Sequence, residues 1–294
     1  MERSFVKTWF LAMRPKTLWA AISPVLVGTS MAYGDGFSNM WIFMVTLLCA
    51  IAIQIGTNFA NDYYDYIKGA DTEERKGPTR ATQAGWVTPQ TMKRAFLFTF
   101  AVAFLCGLYL AWYGGLYILL IGIVSIICGV IYTGGPYPLG YNGLGDIFVL
   151  IFFGPVAVGG TYYLQSMEIS TEHILCGFAL GALATAIIIV NNLRDIETDR
   201  KVGKRTLAVR FGKLFTFIEY ILCFIIAFSL PVYLYLTGAK GVAILYTLLP
   251  IPLAIMLVIK IMRLQGTKLN PVLGQTALLL LLYSLCFSMS WIYS

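Results

Sequence analysis

An all-α membrane protein of about nine transmembrane helices is the architecture these 294 residues predict, on three observations. Composition comes first: 59% of residues are hydrophobic and 12% charged, against about a quarter charged in soluble domains, and the mean hydropathy is +0.77. Second, charge is missing over long stretches, with none from 95 to 145 and only Asp35 between Thr17 and Thr57. Third, the basic residues that do occur fall almost entirely on alternate connections.

A bilayer-crossing helix needs about 20 mostly apolar residues. On that basis the spans fall near 17–34, 40–60, 93–113, 115–133, 145–165, 173–192, 214–237, 241–260 and 272–292. The first begins after Arg14-Pro15-Lys16, and no small-residue cleavage pattern follows it, so no cleavable leader is expected. The stretch "YTGGPYPLGYNGLGD", residues 132–146, reads as a bent connection rich in glycine and proline, able to cap a cavity or to form an ordinary tight turn. It lacks the Lys-Ser/Thr of a phosphate-cradling loop. The six cysteines sit singly in different spans, never at metal-ligand spacing, and read as small packing residues. Residues 1–294 form one polytopic domain on this reading.

With nine spans, the N-terminus and the connections after spans two, four, six and eight share one face. Those segments hold 20 of the 21 Lys and Arg residues; Lys240 is the exception. The positive-inside rule makes that face, and the N-terminus, cytoplasmic. Retention and contact with an anionic lipid bilayer explain the net charge of +7, with no nucleic acid required.

Eleven of the 14 acids lie on the same side, and two groups stand out. Asn58, Asn61, Asp62, Asp65 and Asp71 follow span two; Asn191, Asn192, Asp195, Glu197 and Asp199 follow span six. Spacings of 0, 4, 7 (Asn58, Asp62, Asp65) and 0, 4, 8 (Asn191, Asp195, Asp199) lay each group along one helix face, if the helices continue past the hydrocarbon. The groups lie four spans apart, as a weak internal duplication would put them. Two acid stripes facing one another repel, so a cation must compensate. Nearby Lys and Arg supply some charge, but carboxylate and amide oxygens are what Mg²⁺ prefers, with phosphate oxygens completing its shell. The whole set suits a diphosphate: a metal bridges it to the acids and basic side chains neutralise the rest. Solvated loop charges are the plainer alternative for any single acid.

The motifs Asn61-Asp62-Tyr63-Tyr64-Asp65 and Asp195-Ile196-Glu197-Thr198-Asp199 resemble the paired motifs of the UbiA superfamily of intramembrane aromatic prenyltransferases. The stretches "NDYYDYIKGAD", "GPTRATQAGWVT", "YTGGPYPLGYNGLGD" and "NNLRDIETDRKVGKRTLAVRFG" resemble the menaquinone branch of that superfamily. Many members carry a third Asp four residues after the second of the first motif; here that position is Gly69, and Asp71 follows, in a supporting role.

The resemblance implies nine helices around a central cavity, with cytoplasmic Asp-rich loops at its mouth, in a bacterial plasma membrane. It implies Mg²⁺-dependent transfer of a polyprenyl group from polyprenyl diphosphate to 1,4-dihydroxy-2-naphthoate, with loss of CO₂, giving demethylmenaquinone. Asp62, Asp65, Asp195 and Asp199 would be catalytic, and would hold one or two Mg²⁺ ions with Asn61 and Asn191, Asn58 assisting. Lys68, Arg80, Lys204 and Arg205 are candidates for the diphosphate, though ordinary positive-inside charges would read the same. Tyr132, with Tyr63 or Tyr64, is a candidate to stabilise an allylic cation. Arg14 or Lys16 could meet the acceptor's carboxylate. His173 falls on the opposite face and receives no catalytic role. Three rivals stay open: a prenyltransferase for another acceptor such as 4-hydroxybenzoate; a transporter, whose functional acids more often sit at mid-membrane; and a non-catalytic scaffold protein that binds quinones or lipids.

Overall fold

Helices begin and end where local chemistry dictates in this chain, seen here in a computed structural model that describes residues 4–71 and 75–294. Among the described residues ten helical rods follow in order: α1 Phe5–Met13, α2 Pro15–Gly34, α3 Met40–Ile67, α4 Pro89–Gly114, α5 Leu116–Ile131, α6 Gly145–Ser166, α7 Thr171–Lys201, α8 Leu207–Leu236, α9 Val242–Arg263 and α10 Gly266–Ile292. Starts are capped by short polar side chains. Asn39 accepts from the amide of Ile42 (3.1 Å), Thr88 from Thr91 (3.2 Å) ahead of Pro89, and Thr206 from Val209 (3.3 Å).

All nine expected spans form helices at their expected positions. Seven, α3, α4 and α6 to α10, are long and apolar enough to cross a bilayer, which makes this a multi-pass membrane protein. The other two are shorter. α2 has 20 residues with Pro24 inside it, and α5 has 16, about 24 Å of rise, before the Gly/Pro-rich connection stops it. α1 was not foreseen; it leaves Phe5, Val6, Phe10 and Leu11 exposed while Thr8 and Ala12 pack inward.

The Asp-rich loops require a correction. Asp62, Asp65, Asp195 and Asp199 sit in the final turns of α3 and α7, because both helices continue past the apolar stretch until a left-handed glycine stops them, Gly69 (φ 65°) and Gly203 (φ 75°). Asp71 does lie in a loop. Glu2, Arg3, Glu73 and Glu74, counted among the charges above, lie outside the described residues.

α7 is the buried axis: from Ala179 to Val190 every residue but Ile188 is buried. Its core joins α2, α8, α9 and α10, while a separate apolar cluster joins α1, α3 and α4 through Phe59, Met92, Phe96 and Phe100. α6 crosses α7 at glycine. A Cβ on Gly181 would stand 2.1 Å from the Leu150 carbonyl oxygen, and one on Gly177 2.6 Å from Pro155 Cα. At that crossing α6 breaks into a π turn, Phe152–Val156, where Pro155 has no N–H to give and Gly154 leaves helical geometry. α5 buries only Ile118 and turns Leu116, Tyr117, Leu120, Val124 and Ile127 outward, as a lipid-facing helix does.

Candidate active site

A cavity of about 340 Å³ opens between the tips of α3 and α7. Asn58, Asn61 and Asp65 line it from α3, and Asn191, Asn192, Asp195 and Asp199 from α7. Tyr132, Thr133, Leu139, Gly140 and Tyr141 come from the α5–α6 connection, Arg75 and Arg80 from the α3–α4 connection, and Lys204 from the α7–α8 turn. The Gly/Pro-rich connection therefore does border the cavity.

Asp65 is the most heavily engaged of the carboxylates that line the cavity. It is 2% exposed, and accepts from Arg80 Nη2 (2.6 Å), the Tyr141 hydroxyl (2.6 Å) and Lys204 Nζ (3.3 Å). Burial, then the charge of Asp65, pushes the Tyr141 phenol well up, so it stays a hydrogen-bond donor. Lys204 lies 3.8 Å from Asp199 and 4.6 Å above the Tyr141 ring centroid, and so bridges the two tips.

Asp195 is held differently. Arg194, also 2% exposed, forks onto it through Nε (2.9 Å) and Nη2 (2.6 Å), and reaches Asn191 Oδ1 (2.7 Å) and Asn270 Oδ1 (2.8 Å).

Several expected site residues have other tasks. Asp62, 2% exposed, does not line the cavity; its oxygens accept from the backbone N–H groups of Ala81 (2.9 Å) and Thr82 (3.1 Å), which fixes the loop bearing Arg80. Lys68 donates to the carbonyls of Thr133 (2.7 Å) and Gly135 (3.2 Å), bracing α3 against the α5–α6 connection. Its pKa is lowered by burial and by Lys204, against the pull of Asp65. Arg205 donates its backbone N–H to the Tyr141 carbonyl (2.7 Å), and its side chain is not part of the lining. Tyr63 and Tyr64 pack on Phe96 in the α3–α4 cluster. Asn58 does line the cavity, donating to the Met13 carbonyl (2.9 Å) and Thr17 Oγ1 (3.1 Å), and Asn61 accepts from Thr133. Asp71 pairs with Arg75 and lies 3.5 Å from Arg80 Nε; burial raises it to about 6 although Arg75 opposes this.

His173 stands at the far end of the bundle, stacked on Tyr162 and 3.3 Å from Asp35. Asp35 also receives Tyr162 (3.0 Å), Trp291 (3.1 Å) and Lys240 (3.5 Å). Burial alone would raise its pKa, but those partners together hold it below the usual carboxylate range.

Among the described residues no three acids, histidines or cysteines gather as a ready metal cage. The donor chemistry nonetheless fits Mg²⁺, which takes one or two protein carboxylates and completes its octahedron with water and phosphate oxygens. Asn61, Asp65, Asn191, Asp195 and Asp199 bring such oxygens to one cavity. Buried guanidinium donors without acceptors, Nη1 of Arg80 and Nη2 of Arg14, add capacity for an anion.

Sequence reasoning passed over Tyr141 and undervalued Arg194 and Arg75. Tyr141 carries no charge and sits in a connection of glycines and prolines. Arg194 and Arg75 were visible only as two of many basic residues.

Fold and site together define a helical membrane protein whose cavity opens between helix tips bearing carboxylates and amides, with arginine and lysine beside them. Residues 21–279 match the UbiA prenyltransferase family, and the chain belongs to that family. It is 39% identical to the 1,4-dihydroxy-2-naphthoate octaprenyltransferase of Haemophilus influenzae, over 97% of this chain and 95% of that one. With the enzyme of the same description from Escherichia coli it shares 43% identity over 72% of this chain and 70% of that one. The fold is that of a UbiA homolog from Archaeoglobus fulgidus bound to GPP and Mg²⁺, with a TM-score of 0.68, 17% identity and coverage of 98% and 100%.

Proposed function

We propose that this chain transfers a polyprenyl group from polyprenyl diphosphate to 1,4-dihydroxy-2-naphthoate, releasing CO₂ and diphosphate and giving demethylmenaquinone in its hydroquinone form. The observation that carries the reading is that Asp65 and Asp195, from helix tips far apart in sequence, line one cavity with Asn61, Asn191 and Asp199, beside Arg80 and Lys204. Relatives named for this reaction, at 39% and 43% identity, support the acceptor.

Asn61, Asp65, Asn191, Asp195 and Asp199 would hold Mg²⁺, which when bound supplies Lewis acidity to the leaving diphosphate. Arg80, Arg75 and Lys204 clamp the remaining phosphate charge. Asp62 acts by fixing the Arg80 loop. The allylic C–O bond breaks, and its electron pair leaves with the diphosphate. Tyr132, Phe148, Phe152 and Phe153 line the cavity below and keep water from the cation. The electron-rich ring forms the new C–C bond, and the electron pair of the bond to CO₂ restores aromaticity, so no side chain has to take a proton. Basic connections make the motif end cytoplasmic, in a bacterial plasma membrane.

The test is turnover by purified protein with Mg²⁺, a polyprenyl diphosphate and either 1,4-dihydroxy-2-naphthoate or 4-hydroxybenzoate. Prenylated product with CO₂ release is expected from the naphthoate, and EDTA should stop it. Product from neither acceptor defeats the transferase reading; product from the benzoate alone defeats the choice of acceptor.

A further inference from the structure

The cavity has two unlike walls. From α6 and α7 come Phe148, Val149, Phe152, Phe153, Ile187 and Ile188; from the α1–α2 corner and α3 come Arg14, Thr17, Gln54 and Asn58. Polar side chains at this depth in a membrane bundle are expensive unless something uses them. Asn58 is spoken for by Met13 and Thr17, but Gln54 makes one long hydrogen bond, 3.4 Å, to Thr17 Oγ1. Arg14 is the outlier. Its backbone is left-handed (φ 54°), a conformation that non-glycine residues rarely adopt, and is held there by its N–H on the Leu11 carbonyl (3.1 Å) and by Thr17 N and Oγ1 on its own carbonyl (both 2.9 Å). The corner is thus built around this residue, yet its Nη2 is buried with no partner. Burial and then the neighbouring Arg75 lower its pKa, the charges of Asp62, Asp71 and Asp65 work against this, and the guanidinium remains charged.

Asp62, Asp65 and Asp71 offset part of its charge at a distance, but none accepts a hydrogen bond from Nη2, which leaves that donor for an anion from outside the chain. The diphosphate pole already has its cations, since Arg80 and Lys204 are within 3.3 Å of Asp65. Along α3, Asn58 lies about 10 Å and Gln54 about 16 Å deeper than Asp65, measured by helix rise. Asn58 and Gln54 of the polar wall therefore run below that pole, opposite the aromatic wall suited to isoprene units, while the Arg14 charge reaches Asp62, Asp65 and Asp71 at the edge of the pole. We propose that the polar wall is the acceptor subsite: Arg14 takes the carboxylate of the aromatic acceptor, and Gln54 hydrogen-bonds a ring hydroxyl. The assignment rests on the prenyltransferase function proposed above.

The experiment compares two inhibitors competitive with the acceptor, 1-hydroxy-2-naphthoate and 1-naphthol, which differ by the carboxylate alone. In Arg14→Gln the Ki of the carboxylate should rise by about tenfold or more, while that of the naphthol and the KM for polyprenyl diphosphate move less than about twofold. Gln54→Leu should weaken both inhibitors alike, and it reads the same wall if Arg14→Gln does not fold. A raised KM for the diphosphate with unchanged inhibitor binding assigns Arg14 to the diphosphate and overturns the proposal. Unchanged Ki values in both variants also overturn it. Wild-type turnover of the naphthoate, measured in the same preparation, separates the outcomes: its absence sinks the proposed function, whereas its presence with unchanged Ki values sinks the acceptor wall alone.

Discussion

The tips of α3 and α7 present the same residue types at similar spacing, yet they are held by different means. At α7 the support is largely local: Arg194, the residue before Asp195 on the same helix, forks onto that carboxylate and reaches one turn back to Asn191, with Asn270 the distant contact. At α3 nearly every partner comes from elsewhere. Asp62 grips the backbone at Ala81 and Thr82, and Asp65 depends on Arg80, Tyr141 and Lys204, from three separate connections. One tip arrives nearly preassembled on its helix, while the other is completed only when three connections fold over it. An internal duplication, if it lies behind the two motifs, has diverged most in how the acids are supported.

The strongest way to break this comparison is to remove an acid from each tip. Asp65→Ala and Asp195→Ala should each lower kcat by about a thousandfold or more while the protein still inserts, and near-wild-type rates in either would cancel its assignment. A smaller effect separates the tips. Asp62→Ala removes two buried hydrogen bonds that anchor a loop, so it should destabilise the protein by about 2 kcal/mol and speed protease cleavage between residues 75 and 88. An equal rise in cleavage in Arg194→Ala would contradict the local support inferred at α7. Smaller again, Tyr141→Phe should lower kcat by about three- to tenfold without changing Tm, because it deletes one donor to Asp65 and keeps the ring beneath Lys204.

The smallest effect is one of pH. Asp71 lies at about 6 in the fold against 3.8 for the ordinary group, so the folded chain holds its proton more tightly than the unfolded chain. Its contribution to stability is complete below about pH 4 and is lost as pH rises through about 6. Asp71→Asn should therefore match the wild type in Tm near pH 4 and exceed it by a few degrees at about pH 7. The same Tm difference at both pH values would refute the buried, proton-retaining state of Asp71.

The nine apolar segments were legible because hydrocarbon thickness fixes a length and the absence of charge marks it, and the structure moves most of their ends by only a few residues. The motif helices are exceptions: α3 runs to Ile67 and α7 to Lys201, one to three turns past the apolar signal, since helix-stopping glycines and not hydropathy decide where they end. α1 escaped notice because nine residues are too short for a hydropathy signature. The acids and amides were legible by i,i+4 spacing, and that spacing is local.

What the sequence determined by itself is what local geometry can encode: span lengths, the stripes of Asn and Asp, and the bias of basic residues to one end. Tertiary structure decided which oxygen faces the cavity and which faces a backbone amide, as with Asp65 and Asp62 three residues apart. It also chose Tyr141 and Arg194 from 18 tyrosines and 21 basic side chains, and left Nη2 of Arg14 without an acceptor. Those outcomes depend on how connections distant in sequence pack over the helix tips, and no short-range pattern specifies that packing.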